Sequence, residues 1–356
     1  MKILLVSPLP PPEGGISTWT KNYIEYCNSN GVECEIVNIA LTGKRAKKIN
    51  DKRSVLDEIG RTVNIIKDLK RKIKVFKPDV VHLNTSCSKF GLIRDCLCAK
   101  IIKKNKIPLV LHCRCNIEDQ LGGRNLSIKY FDKISKLADK ILTLNTPSFN
   151  YANSVANGKA LTFPNFIKEN NAPKIERVNE KLSKVIFLGH VQRTKGIFEL
   201  FETAKVNSDI IFDVYGPINS EVAQIEPPSN VNMLGRIEHD VVLEKLHDYD
   251  LFLFPTYTEG FSIALIEAMY VGLPVIATDV GANKDMIESG GGIIVPAKNA
   301  QSIIDALKVI KDSNFRQNCC NFNKNKVSKN YTIDKVMESL FEIYRGVVIR
   351  DIEGKV

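Results

Sequence analysis

Residues 251–267 read Leu251-Phe-Leu-Phe-Pro255-Thr-Tyr-Thr-Glu259-Gly-Phe-Ser262-Ile-Ala-Leu-Ile-Glu267. Four consecutive apolar residues, without alternation, predict a short strand buried on both faces, and Pro255 ends it. Ser262 is a ready N-cap, and Ile263–Met269 has the spacing of a helix start. Glu259 is thereby expected on the strand-to-helix loop and Glu267 inside the helix. In an open parallel sheet, ligands bind in the crevice beyond the carboxyl ends of the strands. A carboxylate there accepts hydrogen bonds from sugar hydroxyls, and the free N–H groups of a helix start suit a phosphate. The plain alternative makes Glu259 a loop charge and Glu267 a solvated helix residue. Their placement after a buried strand, with Gly260 between them, weighs against it.

Outward from this stretch, strands and helical patterns alternate along the whole chain, the signature of parallel α/β layers. Strands are expected at Lys2–Ser7, Glu33–Ile39, Val80–Leu83, Leu109–His112 and Lys140–Leu144, with helices at Ser17–Asn28, Val55–Phe76, Phe90–Lys104 and Ile128–Ala138. A second array begins at Lys184–Leu188 and continues through Ile211–Tyr215, Val231–Met233, Asp250–Phe254, Val275–Ala277 and Gly292–Val295. Residues 166–182 are polar and charged and contain Pro173, which marks them as a linker. The expected division is 1–165, linker 166–182, 183–332, and a last helix within 333–356. The architecture is two Rossmann-like α/β domains facing an interdomain cleft.

Composition agrees with this plan. A chain of 356 residues is too long for one ordinary core, and 44% hydrophobic content supports packed domains. No apolar run approaches the roughly 18 residues of a membrane span. The N-terminal Met1-Lys-Ile-Leu-Leu-Val-Ser-Pro flows into Pro8–Pro12 and reads as a first strand rather than a signal peptide, so a cytoplasmic location is expected. Nine cysteines are scattered without a Cys-x-x-Cys pair and read as free thiols, with no metal site expected. The net charge of +10 is uneven: residues 44–77 hold 13 Lys/Arg against four Asp/Glu, 13 − 4 = +9. A basic surface of this kind suits anionic lipid headgroups, the inner face of a cell membrane being the expected contact. Nucleic acid is disfavoured, because no binding motif or aromatic platform accompanies the charge.

The segment Glu259–Glu267 resembles the glutamate-x7-glutamate signature of retaining glycosyltransferases of the GT-B fold, specifically family 4 (group 1). The resemblance extends to Gly272–Gly281, to Gly290–Pro296, to Gly189-His-Val-Gln-Arg-Thr-Lys-Gly196 and to Gly14-Gly15-Ile16-Ser17. It implies transfer of a sugar from a nucleotide-sugar donor to a glycan or lipid-linked acceptor, without an essential metal or cofactor. The first domain then takes the acceptor and the second the donor.

The resemblance also implies roles. Glu259 approaches the hydroxyls of the donor sugar and Glu267 accepts from the ribose. The amides of Gly260, Phe261 and Ser262 meet phosphate or sugar, and Gly235-Arg236-Ile237 holds the base through main-chain contacts. Lys195 supplies positive charge at the leaving diphosphate; Arg193, read from its place in the same loop and not from the family pattern, is a candidate second cation there. Position 190, just after Gly189, is usually arginine in the family and is His190 here. The Gly14-Gly15 turn faces diphosphate and acceptor. A family histidine near the transferred sugar falls on His112 or, two residues on, Arg114. Both point to the same side of a strand. Retention by front-face attack, with the departing phosphate taking the acceptor's proton, comes with the family. The rival readings are a nucleotide-sugar epimerase of the same fold and a catalytically silent partner subunit that binds a glycan or another transferase.

Overall fold

Strands whose residues are apolar on both sides need cover on both faces, and the chain supplies it twice. The computed structural model describes residues 1–12, 14–40, 55–169, 173–238 and 241–353. They form two units, one of residues 1–163 with the chain from Met337 onward, the other Pro164–Val336.

The first unit carries β1 (Ile3–Ser7), β2 (Cys34–Asn38), β3 (Val80–Thr85), β4 (Leu109–Cys113), β5 (Lys140–Thr143) and β6 (Ala160–Thr162). They make one sheet in the order β2-β1-β3-β4-β5-β6, with every pairing parallel. Its helices are α1 (Gly15–Ser29), α2 (Val55–Phe76), α3 (Lys89–Lys104), α4 (Ile117–Leu121), α5 (Asn125–Leu137) and α6 (Thr146–Ala156). β1, β3 and β4 are buried at every position, as central parallel strands require. α2 shows the amphipathic logic: Ile65, Leu69 and Ile73, four apart, are buried on the sheet. The basic stretch 44–54 and His239 lie outside the described residues.

The second unit holds β7 (Lys184–Leu188), β8 (Ile211–Tyr215), β9 (Val231–Gly235), β10 (Leu251–Phe254), β11 (Val275–Thr278) and β12 (Gly292–Val295). Its helices are α7 (Ile197–Val206), α8 (Ser220–Ala223), α9 (Val242–Leu246), α10 (Ile263–Val271), α11 (Asn283–Ile287), α12 (Ala300–Ile310) and α13 (Ser313–Asn330). The sheet order is β12-β11-β10-β7-β8-β9. Successive strands thus run outward from β7 through β8 to β9, then return to its other side with β10. That reversal, between β7 and β10, is the topological switch point where parallel sheets open a crevice. In the first unit the reversal lies between β1 and β3. The last helix, α14 (Ile333–Glu353), begins in the second unit and packs its later turns in the first, where Tyr344 is fully buried.

The short strand β6 and helices α4, α6, α12 and α13 extend the sequence expectation. α13 is the instructive one. Its buried stripe, Arg316, Cys319, Cys320, Asn323 and Val327, includes two strongly polar residues, so an apolar period does not reveal it. Arg316 donates to the carbonyls of Ile310, Lys311, Asn179 and Glu180. Asn323 donates to those of Leu273 and Gly291. Residues expected as a linker are thereby fastened to the second unit: besides these bonds, Ile167 forms a parallel bridge with Thr332, and Ile175 N–H donates to Val271.

Arg316→Met leaves those four carbonyls without their donor in a buried setting. The variant is expected to lose about 3 kcal/mol of stability, read as a lower urea midpoint with the far-UV spectrum unchanged. A midpoint equal to wild type would show that the carbonyls find water instead.

Candidate active site

The reversal in the second unit brings together two loops that the sequence marks independently. After β7 the chain turns through a single 3-10 turn, Arg193–Lys195, before α7. After β10 it runs from Pro255 to Ser262 before α10. Lys195 Nζ stands 2.8 Å from Glu259 Oε2, with the two side chains about one-fifth exposed (19% and 21%). The Lys195 ammonium also reaches the Thr258 carbonyl at 3.4 Å and lies over the Phe254 ring.

Backbone and side-chain bonds fix this meeting. Tyr257 N–H donates to Thr194 O at 2.9 Å, and the Tyr257 hydroxyl donates to Glu199 on α7. From the other side the Thr278 hydroxyl donates to Thr256 O, and Ala282 N–H to Gly260 O at 3.0 Å. Two glycines make the approach possible. Gly196 has φ +75°, and a Cβ there would lie 2.0 Å from Pro255 O. Gly281 has φ +57°, and a Cβ would fall 2.3 Å from Glu259 O. Any side chain at either position pushes the loops apart.

Glu267 is not a solvated helix residue. Only 6% exposed, it stands in the otherwise apolar α10, which Ser262 caps by accepting from Leu265 N–H. Burial alone pushes its carboxyl up to about 8. Phe261 is buried against Tyr331, and its carbonyl accepts from Asn165 Nδ2 at 2.9 Å. Sequence patterning does not single out Asn165, which acts across 96 residues of chain.

Arg193 sits in the same turn but has a different partner from Lys195. Its guanidinium pairs with Glu221 at 2.8 Å, lies over the Phe198 ring and is more than half exposed. Such exposed pairs are weak, so the cation is available to a stronger anion. His190 is exposed, beside Gly189. Gly235 ends β9 with φ +72° and accepts from Gly216 N–H, while Arg236 is exposed and Ile237 half-buried.

In the first unit Gly14 and Gly15 open α1 and line a pocket of about 380 Å³ with Asn84, Ser86, Arg61 and Arg94, at the reversal between β1 and β3. Deeper, His112 and Arg114 contact each other, Nε2 to Nη1, at 3.2 Å, so both share one face of β4 and its extension. His112 is fully buried and Arg114 is 9% exposed. His82 and Asn84 belong to the same cluster, with Tyr344 of α14 bonded to His82 at 2.6 Å. His247 is exposed.

The family model described as glycosyl transferases group 1 matches residues 168–326. Residues 168–326 are a group 1 glycosyltransferase domain. Over nearly its whole length the chain is similar to the capsular polysaccharide biosynthesis glycosyltransferase CapM of Staphylococcus aureus, at 24% identity across 94% of this chain and 95% of that protein. Among solved structures it is similar to sucrose-phosphate synthase from Thermosynechococcus elongatus, with TM-score 0.78 and 14% identity over 98% and 99% of the two chains. It is also similar to Anabaena HepE in complex with UDP and glucose, with TM-score 0.72 and 14% identity over 97% and 100%. The fold is therefore GT-B, built from two Rossmann-like domains.

The buried Glu267 gives the group 1 domain a pH signature. Between the ordinary carboxylate range and about pH 8, folded Glu267 keeps its proton and the unfolded chain releases it. The folded state binds more protons over that window, so this residue's contribution to stability falls as pH rises through it, by up to about 1.4 kcal/mol per pH unit, and levels above. Glu267→Gln removes the slope. Melting temperatures measured from about pH 5 to 9 should show the variant gaining on wild type as pH rises. Parallel profiles would mean that Glu267 is ionised in the fold.

Proposed function

We propose that this protein is a retaining, metal-independent glycosyltransferase. It moves a sugar from a nucleotide-sugar donor to a glycan acceptor, lipid-linked, in bacterial surface polysaccharide biosynthesis. The observation that carries this reading is the Lys195–Glu259 pair at the strand reversal, with Glu267 buried on the helix that follows. A nucleotide diphosphate sugar needs those features in that order: a cation for the departing diphosphate, a carboxylate for sugar hydroxyls, and a second carboxyl for the ribose. The similar HepE was crystallised with UDP and glucose, and CapM serves capsular polysaccharide biosynthesis. Both support the donor and product classes.

In this reading the second unit takes the donor. Lys195 and Arg193 compensate the charge that develops as the bond from the anomeric carbon to the diphosphate breaks. Glu259 orients the sugar, and the amides of Gly260, Phe261 and Ser262 meet phosphate or sugar. Glu267 holds the ribose, and Gly235, Arg236 and Ile237 border the base. The acceptor hydroxyl attacks from the same face, forming the new glycosidic bond as its proton passes to the departing phosphate oxygen. The first unit takes the acceptor at the Gly14-Gly15 turn.

Membrane contact is part of the proposal. Ile59 and Val63 on α2 are 55% and 44% exposed. Lys67, Lys70 and Lys74 continue their stripe and are exposed as well. An apolar patch running into a basic one suits a surface of anionic lipid. No described helix is long and apolar enough to cross a membrane.

A thermal-shift screen of the purified protein against UDP, GDP, ADP and CMP tests the donor site. One nucleotide should raise the melting temperature of wild type and not of Glu267→Ala. Lys195→Ala and Glu259→Gln should each lower transfer from the matching labelled donor by about a hundredfold or more while melting near wild type. No nucleotide shift and no donor turnover would leave a silent partner subunit as the better account.

A further inference from the structure

Asn165 is a buried amide set against the loop that carries Glu259, and its own hydrogen bonding is incomplete. It is 6% exposed. Its Nδ2 donates to the Phe261 carbonyl at 2.9 Å, while its Oδ1 is buried without a partner. A carbonyl only accepts, so the atom facing Phe261 O is the amide nitrogen and the orphan is the oxygen. An orphaned buried acceptor costs about as much stability as one neutral hydrogen bond returns. Leucine, nearly the same shape, would fill the space without the orphan. Packing alone thus gives no reason for an amide at this position.

The geometry of the peptide bond gives one. In a trans peptide the C=O of one residue and the N–H of the next point in opposite directions. Asn165 holds the Phe261 C=O, so the Ser262 N–H is turned to the other side. The preceding peptide is fixed in the same manner. Gly260 C=O accepts from Ala282 N–H at 3.0 Å, which turns the Phe261 N–H away from Ala282. Gly260 N–H lies 3.3 Å from Glu259 Oε1, so the turn begins beside the carboxylate that pairs with Lys195.

Ser262 is also the N-cap of α10. The first N–H groups of a helix have no intrahelical acceptor and form the positive end of its dipole. A second brace holds the turn from the same stretch of chain. The Phe261 ring meets Tyr331 edge-on with centroids 5.4 Å apart, and Tyr331 O accepts from Ile167 N–H at 2.8 Å. Residues 165 and 167, just inside the second unit, therefore steady one peptide from two directions.

We propose that Asn165 is a positioning residue for the donor: by holding the Phe261 C=O it aims the Ser262 N–H at an oxygen of the nucleotide's diphosphate. This rests on the transferase reading, in which the loop receives a nucleotide sugar, and gives the asparagine a part in it. A backbone N–H bonded to a phosphate oxygen is a charge-assisted hydrogen bond, and its strength depends on alignment. Without the Asn165 amide the 261–262 peptide is free to rotate and that alignment is lost. Contacts to base and ribose are untouched. The defect is therefore confined to ligands that carry phosphate.

The chain contains a single Phe-Ser step, 261–262, so carbon-13 at phenylalanine carbonyls with nitrogen-15 in serine makes that one peptide visible by NMR. The full chain so labelled is titrated with UDP, GDP and ADP, and with uridine, guanosine and adenosine as controls, while melting temperatures are read in parallel. The diphosphate that raises the melting temperature should move the Ser262 N–H signal, and its nucleoside should leave the signal in place. Asn165→Leu should melt near wild type, bind that diphosphate about tenfold or more weakly, and bind the nucleoside as before. The wild-type titration needs no variant, so it decides the matter even where Asn165→Leu folds badly. A diphosphate that binds without moving the Ser262 signal would overturn the proposal and leave the transferase standing. So would a nucleoside that moves the signal as far as its diphosphate, or a leucine variant that loses neither ligand or both equally. No thermal shift and no signal change with any nucleotide would refute the transferase reading and this proposal with it.

Discussion

Parallel pairing of β7 with β10, Val185 opposite Leu251 and Ile186 opposite Phe252, is the constraint on which the geometry of the candidate site depends. The strands are remote in sequence, and the loop after each starts from the same edge of the sheet because all pairings are parallel. That register lets a 3-10 turn and a strand-to-helix loop meet at Tyr257 N–H and Thr194 O, and it leaves Lys195 within 2.8 Å of Glu259. Neither loop makes the site alone. Gly196 and Gly281 matter for the same reason: each lies where a second backbone passes too close for a Cβ.

The central strands are legible in sequence because burial on both faces favours unbroken apolar runs, and such runs stand out in β1, β7 and β10. Glu259 and Glu267 are legible because a carboxylate beside such a run has few structural uses. What escapes is whatever depends on partners far along the chain. His82 finds its partner only in Tyr344, 262 residues away, which no local pattern shows. Arg193 reads as a free cation until Glu221 on α8 takes it. α13 escapes because its buried face contains Arg316 and Asn323, which bind carbonyls rather than apolar side chains, and a hydrophobic period cannot register them. The choice between His112 and Arg114 was open because residues two apart share a strand face, and the structure uses both in one contact.

The ion pair at the strand reversal of the second unit bears on how that site handles charge. In the second unit Lys195 already has a carboxylate partner, so under the proposed chemistry an incoming phosphate must displace Glu259 or share Lys195 with it. Exchanging one ion pair for another returns little net free energy. Under the proposed chemistry this site gains from the transition state, when the departing diphosphate is most charged, rather than from the resting donor.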